Sequence, residues 1–96
     1  MSLERIVMKY IDSAQQVLGG LDLAEMPVVI ESIRVTEVLE WARAYLKDAE
    51  YYREKEKLEV SLTSVAYCEG LLDALRLLGV VNFEWPIKPK EPRKEE

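Results

Sequence analysis

Between Trp41 and Gly79 the chain reads WARAYLKDAEYYREKEKLEVSLTSVAYCEGLLDALRLLG, and this stretch has the pattern of two amphipathic helices folded back on each other around a charged turn. Leu58, Leu62, Val65, Cys68, Leu72 and Leu75 recur at helical spacing on one face, which predicts a helix from about Leu58 to Leu78 with Gly79 as its stop. Upstream, Val28, Val35, Val38, Ala42, Tyr45, Ala49 and Tyr52 keep close to a seven-residue repeat, the period of helices packed at shallow angles. Asp22 and Glu25 have capping-box spacing and Pro27 suits a first helical turn, so this long helix is expected to begin between Asp22 and Val28. It would run for about 27 residues, or ~40 Å. Lys55, Glu56 and Lys57 turn the chain, and so short a connection makes the two helices antiparallel neighbours.

A further stripe of Leu3, Ile6, Val7, Tyr10, Ile11, Ala14, Val17 and Leu18 predicts a first helix over about Ser2 to Leu18, ended by Gly19 and Gly20. That helix is expected to cover the groove left by the other two. The fold class is therefore all-α: an antiparallel three-helix bundle with a long central helix, one domain over residues 1–85. Beyond Gly79, Val80, Val81, Phe83, Trp85 and Ile87 suggest an extended segment lying along the bundle. Pro86, Pro89 and Pro92 among Lys and Glu then predict a flexible, disordered tail over 86–96.

Several chemistries drop out on composition. The chain has no histidine, which removes Ser-His-Asp and Cys-His nucleophiles, HExxH zinc sites and the Glu-x-x-His pairs of di-iron bundles. No metal and no cofactor is expected. The glycine pair at 19 and 20 lacks the further glycines, the lysine and the strand of a phosphate loop. Residues 1–85 carry nine basic and fifteen acidic side chains, a net of minus six. A body so acidic repels phosphate, so nucleic acid is not an expected partner. No apolar run approaches the roughly 20 residues a membrane helix needs. Glu4, Arg5, Lys9 and Asp12 interrupt any secretory signal, and Cys68 is the sole cysteine, so the cytoplasm is the expected compartment. Cys68, next to Glu69 on a largely apolar helix, is expected to be a buried structural thiol.

The block AYLKDAEYY followed by SVAYCEGLLDALRLLG resembles an uncharacterised family of short archaeal proteins, domain of unknown function 357. The resemblance covers roughly Trp41 to Gly79, and its most specific part is AYCEGLLDA from Ala66 to Ala74. It implies an all-helical fold and an archaeal source, and no activity. Family members often carry a Gly-Asp turn where this chain has EKEKLE, and often a histidine where Glu69 stands.

The polar residues to watch are Tyr45, Asp48, Tyr52, Glu69 and Asp73. Asp48 shares a stripe with Trp41, Tyr45 and Tyr52, and an acid among aromatics is expected to lose solvent unless a hydroxyl or cation reaches it. Hairpin register separates Asp48 from Asp73 by ~12 Å, too far to share a proton or a metal. These side chains are expected to fix how the helices dock, each taking a hydrogen bond from Tyr, Arg or a helix end. Two functions fit. The favoured one is a non-enzymatic interaction module that binds another protein or itself, with a homodimer expected because Val29, Ile30, Ile33, Leu39 and Leu46 widen the apolar stripe beyond one seam. The alternative is a small-molecule binder or minor enzyme using the Asp, Glu and Tyr side chains of a groove between helices.

Overall fold

In the computed structural model, which describes residues 2–86, three helices carry the chain: α1 (Leu3–Gly20), α2 (Ser32–Glu54) and α3 (Leu58–Leu77). The all-α class holds, and no strand occurs among the described residues. The expected disorder of the tail concerns residues that, Pro86 apart, lie outside those described.

Helix α1 starts at Ser2, whose Oγ accepts a hydrogen bond from the Arg5 N–H at 3.1 Å, with Glu4 favourably placed in the first turn. Its end differs from the sequence expectation. Gly19 and Gly20 belong to the helix, and the stop comes at Leu21, which turns extended while its N–H still reaches the Val17 carbonyl at 2.9 Å. A step to extended backbone needs no left-handed residue, so the glycines are not the punctuation.

The second helix begins later than expected, at Ser32, and spans 23 residues. Two physical causes meet in the linker. Pro27 supplies no N–H and biases Met26 away from helical backbone, and the β-branched run Val28, Val29, Ile30 follows directly. Asp22 and Glu25 therefore cap nothing helical.

Helices α2 and α3 pack on each other as antiparallel neighbours. Their seam is built from small residues. Ala42 and Ala49 on α2 and Cys68 and Leu75 on α3 are the buried apolar side chains, each pair seven residues apart. The Ser61 hydroxyl donates to the Ala49 carbonyl across the seam at 2.7 Å, which fixes the register. The same register sets Ala42 against Cys68 and half-buried Val35 against Leu75.

Helix α1 does not close this pair into a bundle: no Cα of α1 comes within 8 Å of α2 or α3. The radius of gyration is 16.3 Å, against roughly 12.5 Å for a compact chain of this length. The groove that α1 was expected to cover stays open.

Both ends of the hairpin close by the same backbone device. After α2, the Lys57 N–H bonds the Tyr52 carbonyl at 2.8 Å and the Glu56 N–H bonds the Arg53 carbonyl at 3.0 Å. After α3, the Val80 N–H bonds the Leu75 carbonyl at 3.2 Å and the Gly79 N–H bonds the Arg76 carbonyl at 3.0 Å. These are Schellman caps, which place the residue between them in the left-handed region. Gly79 sits there with φ 81°, as its sequence position suggests, but Glu56 is forced into the same region with φ 62°. A residue with a Cβ pays roughly 1–2 kcal/mol for that conformation. Replacing Glu56 by Gly is expected to stabilise the folded chain by about 1 kcal/mol, raising the melting temperature by roughly 4–8 °C. A melting curve unchanged or lowered by Glu56→Gly would contradict the strain assigned to this turn.

Candidate functional site

A two-helix pair has two open faces, and here they differ in chemistry. At 100° per residue, Val38, Tyr45, Tyr52 and Trp41 of α2 fall on one side of the seam, and Leu39 and Leu46 fall on the other. On the first side Val38, Trp41, Tyr45, Tyr67 and Leu71 line a groove of about 270 Å³ that contains no charged side chain. Its rings are in contact. Trp41 and Tyr45 stack at 6.3 Å between centroids, and Tyr45 meets Tyr67 edge-on at 4.4 Å, both arrangements favoured by ring quadrupoles. Trp41 is nonetheless 61% exposed and Tyr67 53%.

The second side holds a narrower trough of about 140 Å³, lined by Leu39, Ala42, Arg43, Leu46, Cys68 and Leu72. Cys68 lies at its floor, buried. Loss of solvent pushes its thiol pKa up, and the neighbouring Glu69 carboxylate pushes it further the same way. The expected role of Cys68 as a buried side chain is what the packing shows.

The third feature lies at the C-terminal end of α3. Asp73 Oδ1 accepts from the Trp85 indole Nε1 at 2.9 Å, from Arg76 Nη2 at 3.1 Å and from Arg76 Nε at 3.3 Å. The Arg76 guanidinium also lies 5.7 Å from the centre of the Phe83 ring, and Phe83 meets Trp85 edge-on at 5.0 Å. Residues 80–85 therefore turn back onto the last turns of α3 as a clasp. They do not lie along the hairpin as the sequence suggests, because the chain reverses at Gly79 and Asp73 captures Trp85, six residues on. The Trp85 hydrogen bond, with the Arg76 bonds second, holds the Asp73 carboxyl below the usual carboxylate range.

The five residues singled out from sequence are not gathered in one place. Tyr45 and Tyr52 stand on the aromatic side, half-buried. Asp48 lies about 20° beyond Trp41 on the helical wheel, at the rim, and is exposed. It needs no hydroxyl or cation because water reaches it. Glu69 is exposed and belongs to the side of Arg43 and Leu72. Asp73 is the one held by hydrogen bonds, and its partners, Trp85 and Arg76, are residues that sequence spacing missed. The legible signal was an acid and an arginine three apart in the last turn, followed by Gly79 and an aromatic pair. Among the described residues no group of three or more Cys, Asp and Glu side chains is placed to hold a metal ion.

A family model described as "Protein of unknown function (DUF357)" matches residues 9–81. Comparison with curated proteins and with solved structures returns no match.

Two outcomes follow from these geometries. Cys68 is expected to react with a bulky disulfide reagent only as fast as the chain opens, so denaturant should accelerate labelling by orders of magnitude; fast stoichiometric labelling of the folded protein would contradict its burial. For Asp73 the lowered folded pKa means that the clasp contributes stability above the ordinary carboxylate pKa near ~3.9 and loses it as pH falls through the lower folded value. In a chain with Trp41 replaced by Phe, Trp85 emission should hold steady at neutral pH and shift only below about pH 4. Asp73→Ala should show the shifted emission already at pH 7, and identical spectra for the two chains would remove the clasp.

Proposed function

This chain belongs to the DUF357 family, and we propose that it serves as a small protein–protein interaction module that associates with itself. The observation that carries this reading is unpartnered apolar surface. The whole apolar stripe of α1 is exposed apart from half-buried Ile6, and no Cα of α1 lies within 8 Å of the other helices. The surface area is 8604 Å², where a folded monomer of this mass exposes about 5,700 Å². A surplus of about 1,600 Å² survives even when residues 87–96 are granted the full area of unfolded chain. That surplus is about twice the roughly 800 Å² that one partner contributes to a standard protein interface.

The chemistry on the surface points the same way. Both grooves are open and apolar, and the polar residues that an enzyme would need to converge are spread over two faces and a clasp. We place the working protein in a reducing interior, since its single thiol is buried and paired with nothing. No helix among the described residues is long and apolar enough to cross a membrane.

The full chain should sediment as a homodimer at micromolar concentration. A monomer persisting to high micromolar concentration would overturn the self-association proposed here.

A further inference from the structure

We propose that the aromatic side of the α2–α3 hairpin, centred on Trp41, Tyr45 and Tyr67, is the seam on which a second copy of this chain docks its own aromatic side. This rests on the self-association reading and assigns it a surface.

The size of the face fits a dimer seam. A hairpin of two helices about 30 Å long and set 8–10 Å apart presents a face of roughly 600 Å² in projection. A knobby surface exceeds its projection, so one such face approaches the roughly 800 Å² per partner that a standard interface takes. Helix α1, with 18 residues, is about 27 Å long and about 10 Å across. Its footprint is less than half of one hairpin face. Two faces are open in each chain and only one α1 is available to cover them, so the larger apolar face is matched by another hairpin.

Charge distinguishes the two sides of the hairpin. The centre of a protein interface is depleted of charged side chains and enriched in aromatic ones. The aromatic groove is lined by Val38, Trp41, Tyr45, Tyr67 and Leu71, with no charge among them, and Glu37, Glu40 and Asp48 lie outside Trp41 where they would remain at a wet rim. The opposite trough is narrower and has Arg43 in its wall, with Glu69 and Arg76 on the same side of α3 by helical position. That trough suits α1, whose stripe is bordered by Glu4 and Lys9.

Symmetry favours the same side. A two-fold interface is the same patch on both copies, so the patch must complement itself. Rings that already stack and meet edge-on within one chain can do the same with their copies, and each Tyr hydroxyl can reach the rim.

The test is sedimentation equilibrium of the full chain and of two single variants, with circular dichroism on each. Trp41→Glu should weaken the dimer by roughly 30-fold or more, the scale for a central aromatic anchor, with helix content retained. Leu46→Glu, on the other side, should leave the dimer constant within about threefold. A dimer untouched by Trp41→Glu, or dissolved by Leu46→Glu alone, overturns the surface assignment while leaving self-association in place. A wild-type chain that stays monomeric defeats both. If Trp41→Glu loses its helices, a Trp85→Phe chain supplies the answer through its sole remaining indole. Emission from Trp41 should shift to the red as dilution splits the dimer, and an emission maximum constant through that dilution would overturn the proposal.

Discussion

The close approach of α2 and α3 through small side chains is the constraint from which the rest follows. Ala42 is 2% exposed, and Ala49 offers its backbone carbonyl to the Ser61 hydroxyl across the seam. Three antiparallel layers seven residues apart, Val35 with Leu75, Ala42 with Cys68 and Ala49 with Ser61, give two helices one defined register. A seam this narrow hides alanines well and large side chains poorly. Trp41, Tyr45, Leu46 and Tyr67 are pushed outward to flank it, and they become the two faces on which any function must be written.

Among the described residues the buried side chains are one leucine, one cysteine and two alanines, and the first helix is amphipathic yet has no Cα within 8 Å of α2 or α3. Small domains are marginal even when their cores are full. The Asp73 clasp adds order at one end of α3 by tying Trp85 and Arg76 to a single carboxylate oxygen. That polar cluster is held by its own chain and is half open to water, so it serves architecture. The residues that remain for recognition are apolar.

Much of this was legible in the sequence because two signals agreed along α3 and the second half of α2. Heptad spacing of Ala42, Ala49, Cys68 and Leu75 named the seam, and Gly79 marked the end of α3 because its left-handed cap is a position where a Cβ is costly. The start of α2 was not legible. Capping-box spacing at Asp22 and Glu25 pointed one way and the β-branched run after Pro27 the other, and the run prevailed. Glu56 was equally opaque, since nothing in EKEKLE announces a residue forced to positive φ. The site was read only in part. Asp73 stands among the polar residues the sequence singles out, but its hydrogen-bond partner Trp85 is twelve residues away across a chain reversal, a pairing that helical periodicity does not encode. Asp48 was read with its aromatic neighbours, yet a further 20° of helical rotation carries it past them into solvent.

On the self-association proposed above, the order of this chain depends on association, because one copy buries little of its own apolar surface. The dependence of thermal unfolding on protein concentration tests it most directly, since folding coupled to association makes the midpoint a function of concentration. The midpoint should rise by several degrees between low micromolar and several hundred micromolar chain. A midpoint that stays fixed across that range would show a self-sufficient monomer and contradict the account.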